Sequence, residues 1–169
     1  MVTQIKMSYK INVTVIIKDH LKTLVNARTN RPDFRDLLFF LIIPTVTSLT
    51  LVYNGIFFDG DFINSIIGGL SIYVGLSLNF IVLLFDLSAK EIFKDSEAKS
   101  VIKETVANIS VSIFYSILII LFSLSSKVSY LLHIGNFLCY FILIEFLFTL
   151  MMILKRVYIL LMKQLDVMD

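Results

Sequence analysis

The chain has no tryptophan, one cysteine, two prolines and two histidines in 169 residues. A single cysteine, Cys139, excludes an internal disulfide and any zinc site built on cysteine spacing. Set inside an apolar run, it reads as a small packing residue. The two histidines, His20 and His133, fall on opposite sides of the membrane in the topology read below and cannot form a metal-binding or catalytic pair. No glycine-rich phosphate loop or nucleophile elbow is present either. We therefore expect no enzyme, no metal and no cofactor. Charge is also sparse, at 17% of residues, and 15 basic side chains are offset by 13 acidic ones. The basic residues form no stripe that would follow a groove, so direct nucleic-acid binding is not expected.

What the chain has instead is apolar residues, 57% of the total, against roughly 45–50% in an ordinary soluble domain. They gather in four runs, at about residues 37–53, 62–85, 109–125 and 130–153. Each run is long enough, at about 1.5 Å per residue, to cross a hydrocarbon layer of about 30 Å as a helix. Helices satisfy their own backbone polar groups in lipid. The expected fold is an all-α membrane protein with four transmembrane helices, cytoplasmic helical extensions and an N-terminal amphipathic helix. Residues 1–35 form a polar arm with seven Lys/Arg, so the first apolar run is read as an uncleaved span. Residues 36–169 form the transmembrane domain, with extensions at 86–108 and 154–169. Four more basic residues lie between the second and third runs and three follow the fourth, while Lys127 stands alone between the third and fourth. The bias of Lys and Arg toward the inside places both termini in the cytoplasm.

In the arm, Val13, Ile17, Leu21 and Leu24 share one helical face, away from Lys18 and Lys22. That face either packs on the ends of the spans or docks on a partner or the membrane interface. The cytoplasmic cations Lys18, Lys22, Lys99, Lys103, Lys155 and Arg156 are the candidate docking residues.

Inside the spans, small and polar residues recur at helical spacing. Gly68, Ser71, Gly75 and Asn79 on the second, with Ser112 and Ser116 on the third, form a stripe suited to close helix packing and to oligomer formation. Counted from the cytoplasmic ends, Glu145, Asn79, Ser116 and Pro44 lie at about 12, 9, 10 and 10 Å and would form one polar layer. Pairing with Asn79 and Ser116 would lower the burial cost of Glu145. Glu145 then either joins helix to helix by hydrogen bonding or lines a wet path for protons or cations. Pro44 frees the carbonyl of Phe40, and Thr45, Thr47 and Ser48 are placed to satisfy the backbone there.

A basic arm, four spans, cytoplasmic helical extensions and very short outer connections together resemble the small four-span proteins of bacterial anti-phage defence systems, in particular the membrane subunit of the Kiwa system. The resemblance implies a homo-oligomeric inner-membrane sensor or scaffold that works with a cytosolic protein partner. Two alternatives stay open on the residues alone: an ion channel or pore gated near Glu145, and a small proton-coupled transporter. The lone acid loosely resembles that of small multidrug transporters, but theirs lies in the first span and this one lies in the fourth.

Overall fold

The computed structural model describes residues 13–23, 38–90, 96–125 and 131–165. The arm before residue 13, residues 24–37 (with Leu24 of the expected amphipathic face), Lys94 and Lys127 lie outside the described residues. Within them the chain is helical, with no strand. The helices are α1 (Thr14–Thr23), α2 (Leu38–Tyr53), α3 (Gly60–Ala89), α4 (Ser96–Ser125) and α5 (Leu132–Leu165). Three of them, α3, α4 and α5, are long and apolar enough to cross a membrane. The apolar helix α2 is shorter, about 24 Å over its described residues.

Pro44 shapes the start of α2. A regular α-helix would drive its ring into the carbonyl of Phe40 and leave that carbonyl without its usual donor. The helix instead begins with a π-turn, Leu38–Ile42, and becomes α-helical over Ile43–Tyr53. The wider π spacing makes room for the ring, and the Thr45 hydroxyl donates to the carbonyl of Leu41 at 2.6 Å. Ser48, by contrast, is buried and its hydroxyl has no partner among the described residues. At the other end Gly55 takes a positive φ of 69°, a conformation that costs a side-chain-bearing residue energy. It turns the chain toward α3, which Asp59 caps by accepting from the N–H of Phe62 at 2.7 Å.

The centre of the molecule is the antiparallel pair α4 and α5. Its seam is legible residue by residue. Thr105, Ile109, Ser112, Ser116, Ile119 and Ser123 are buried on α4, and Gly135, Cys139, Ile142, Phe146 and Thr149 on α5. Both sets alternate steps of four and three, the 3.5-residue period that keeps two helices in contact along their length. The small side chains bring the backbones close. Their hydroxyls cost little, because Thr105, Ser112, Ser116 and Thr149 each donate to a carbonyl of their own helix. Ser112 and Ser116, read as helix-packing or oligomer positions, lie in the interior of the chain, in the α4–α5 seam.

α2 packs on α5, and α1 and α3 pack on α4. α3 is the outlying helix: 11% of its most apolar window is buried, against 39% for α4. Its buried residues Ile63, Leu70, Ser77 and Leu84 recur every seventh position. Ile66, Tyr73, Phe80 and Ile81 pack partly buried beside them, and the Tyr73 hydroxyl meets Ser112 Oγ at 2.6 Å.

Candidate functional site

Two polar features occupy the α1–α4–α5 junction: a clasp that fastens α1, and a carboxyl set deeper along the same groove.

The clasp begins with His20, 2% exposed. Its Nδ1–H donates to Asn108 Oδ1 at 2.9 Å, and the Thr23 hydroxyl shares that acceptor at 3.0 Å. Arg156 on α5 completes it, donating from Nε and Nη2 to Glu104 Oε2 on α4 at 3.1 and 2.9 Å. The same Nη2 reaches the carbonyl of Thr23 at 3.5 Å. α1 is thus tied to both central helices. The face it buries centres on His20, with Ile16 and Ile17 partly covered, while Leu21 is exposed. The buried face is rotated by about 50° from the apolar face read from the sequence, and the Asn108 amide holds the histidine on it. Arg156 is likewise an internal clasp residue and not a free docking cation. Lys22 is exposed and pairs with Asp19 at 2.7 Å. Lys18, Lys99, Lys103 and Lys155 are exposed.

This geometry predicts a pH response. Burial pushes the His20 imidazole below its ordinary 6.5; the bond to Asn108 opposes that shift, and the nearby Arg156 guanidinium adds to it. An unfolded His20 protonates near 6.5, whereas the docked one resists, so the unfolded state binds more protons below that pH. The docking energy of α1 is therefore fully present above about pH 6.5 and is lost progressively as pH falls toward the lowered folded value. Hydrogen exchange corrected for intrinsic rates should show α1 losing protection relative to α4 between pH 7.5 and 5.5. His20→Gln should flatten that difference.

The deeper feature is Glu145, 6% exposed. Its Oε1 is fully enclosed without a hydrogen-bond partner among the described residues. The helix register explains where it lies. Arg156 meets Glu104, and the Cys139 thiol lies 3.8 Å from the Ile119 carbonyl. Between those two contacts, antiparallel helices place Glu145 level with Tyr115. Tyr115 is within electrostatic reach of Glu145, and its ring packs edge-on against His20 at 6.3 Å between centroids. His20, Tyr115 and Glu145 thus form a column running from the clasp into the bundle.

The expected four-part layer does not assemble. Ser116 is buried near this level but donates to the Ser112 carbonyl at 2.9 Å. Pro44 is buried on α2, and the Phe40–Phe148 ring contact at 5.6 Å sets it about level with Glu145. Asn79 is not brought to Glu145: it stands on the exposed face of α3. The T-shaped contact of Tyr73 with Phe146 sets the α3 residues level with Glu145 more than a turn from Asn79. Counting depth from the end of an apolar run misled here because α3 continues to Ala89, so the run's end is not a common level.

Asn64, Gly68, Ser71, Gly75 and Asn79 are all exposed. They lie opposite the Ile63–Leu84 seam at 100° per residue. A Cβ built on Gly68, Gly69 or Gly75 would meet nothing within 4 Å. At the other end of the bundle His133 is exposed and packs edge-on against Phe57, while Asn136 Oδ1 accepts from the N–H of Phe58 at 2.9 Å.

Sequence reasoning missed Asn108, Glu104 and Tyr115. The available signal was an amide within an apolar face, and opposite charges on adjacent antiparallel helices. Among the described residues no group of His, Cys, Asp and Glu could hold a metal ion. In class, this is a helical chain with three helices of membrane-crossing length and a short helix, α1, docked on α4. Comparison with family models, curated proteins and solved structures finds no match.

Proposed function

We propose that the chain is a homo-oligomeric membrane subunit, a sensor or scaffold, that crosses the inner membrane four times with both ends in the cytoplasm and holds a cytosolic protein partner. The observation that carries this reading is the outward face of α3. Gly68, Ser71 and Gly75 are flanked on that face by Asn64 and Asn79, whose amides have no hydrogen bond within the described chain. Amides facing lipid carry an unmet hydrogen-bonding demand, and small residues are what a second helix needs in order to approach. A second copy supplies both the partner backbone and the partner amides.

A second stripe supports the partner. Leu147, Met151, Leu154, Tyr158, Leu161 and Leu165 are exposed along one face of α5, at alternating steps of four and three. The stripe runs on past Arg156, where the proposed topology has left the membrane, and exposed apolar seams outside lipid mark protein contacts. The resemblance to anti-phage membrane proteins supplies the biological setting of this reading.

The test is Gly75→Leu. Since a side chain there meets nothing in its own chain, the fold is spared and only assembly is challenged. Light scattering of the purified protein should shift from oligomer to monomer, with dissociation at least about tenfold easier, within the range of a disrupted helix contact. An unchanged oligomeric mass would sink the reading. Reporter fusions to each terminus check the orientation independently.

A second reading is favoured by the enclosed, unpartnered Oε1 of Glu145. Intramembrane acids facing a bundle interior commonly serve ion or proton pathways. In this reading Glu145 gates a channel or couples a small transporter. Proton or ion flux in reconstituted vesicles that survives Glu145→Gln would remove it.

A further inference from the structure

Between α1, α3 and α4 lies a groove of about 950 Å³, within the range of pockets that hold organic ligands. Along α4 its wall carries Ser96, Lys99 and Lys103 toward the start of the helix and Val106, Ala107 and Ser110 further in, and Ile81 and Phe85 of α3 face the lysines across the groove. From Lys99 to Ser110 is about 16 Å along α4. We propose that this groove binds an anionic phospholipid, with the phosphate at the two lysines and an acyl chain along the apolar wall.

Charge decides the occupant. Lys99 and Lys103 are exposed and one turn apart, a like-charge pair that disfavours itself, and neither forms an ion pair among the described residues. Two nearby acids are engaged elsewhere. Asp19, which also lines the groove, holds Lys22 at 2.7 Å. Glu104, one residue from Lys103, holds Arg156 at 2.9 Å. An anion carried on an apolar chain would meet the two lysines and lie on Ile81, Phe85 and Val106 at once. The order along α4 also suits a lipid in the leaflet adjoining the end of α3, with the lysines toward the helix start and Val106 and Ala107 toward the middle of the helix. Basic pockets between helices at a membrane surface recognise lipid headgroups by the same chemistry. This proposal rests on insertion in a bilayer but not on self-association or on which side faces the cytoplasm.

The experiment is native mass spectrometry of the full chain released from detergent, titrated separately with phosphatidylglycerol and phosphatidylcholine of equal chain length. Two lysines near a headgroup correspond to a preference of about thirtyfold for the anionic lipid. The double variant Lys99→Gln, Lys103→Gln, exposed and therefore neutral to folding, should abolish that preference while leaving helicity unchanged. Val106→Trp, which fills the wall, should weaken both lipids. Equal retention of the two lipids, or a preference that survives loss of both lysines, overturns the proposal. So does equally tight binding of glycerol phosphate, which would show that the acyl chain contributes nothing. Monomeric Gly75→Leu protein that keeps the preference would separate this site from the failure of the assembly reading.

Discussion

Replacing Glu145 with methionine is expected to stabilise the folded chain by about 1–3 kcal/mol, the cost of an enclosed polar atom left without a partner. Glu145 sits among apolar neighbours of the α4–α5 seam, and its Oε1 receives no hydrogen bond from the described chain. Methionine matches its length and bends to fill irregular space, so no large cavity follows. Resistance to unfolding in mixed detergent micelles reads the result directly. A loss of stability of 1 kcal/mol or more would mean that the carboxyl has a strong partner, supplied by a second copy or by ordered water. A gain in stability accompanied by loss of cellular function would be informative in the opposite sense. A residue that weakens its own fold yet is needed for activity is kept for what it does.

Breaking the clasp should have a comparable effect of the opposite sign. Glu104→Gln leaves the Arg156 guanidinium, whose side chain is 13% exposed, without its counter-charge. Hydrogen bonds to charged groups contribute about 1.5–3 kcal/mol. Glu104 is 39% exposed, so solvent screening brings the expectation to about 2 kcal/mol or somewhat less. The loss should be local as well as global: α1 should exchange its amide hydrogens faster, since Arg156 also reaches the Thr23 carbonyl. Adding Arg156→Met to Glu104→Gln should recover much of the lost stability, because the isolated buried charge disappears with its partner. A double variant no better than Glu104→Gln alone would show that the apolar stem of Arg156, and not its charge, holds the junction.

These two sites show where residue pattern carries information about structure and where it stops. The positions of α3, α4 and α5 follow from the length of the apolar runs, since few other arrangements could hide so many consecutive apolar side chains. The small residues of α3 and α4 were also legible as packing positions, but not which surface each would meet. Ser112 and Ser116 went to the seam with α5, whereas Gly68 and Gly75 went outward, and nothing in a single helical wheel separates the two cases. His20 was hidden for a different reason. Periodicity weighs apolar residues, and Val13, Ile17 and Leu21 pointed to a face that ignores the attraction between an imidazole and the Asn108 amide. Glu104 and Arg156 are separated by 52 positions, so their pairing depends on the register of two helices, which is fixed by packing along their whole length.

α3 is 30 residues long, about 45 Å, and the hydrocarbon of a bilayer is about 30 Å thick. A helix so much longer than its solvent layer must lean or protrude, and it adjusts for a fraction of a kcal/mol per ångström of mismatch. The sparsely buried contact of α3, through Ile63, Leu70, Ser77 and Leu84, resists that leaning less than the broad α4–α5 contact does. When a membrane thins or stretches, α3 is therefore the helix that moves first. Its change of tilt would turn the Gly68–Asn79 face, and under the proposed assembly that is a mechanical input from bilayer thickness.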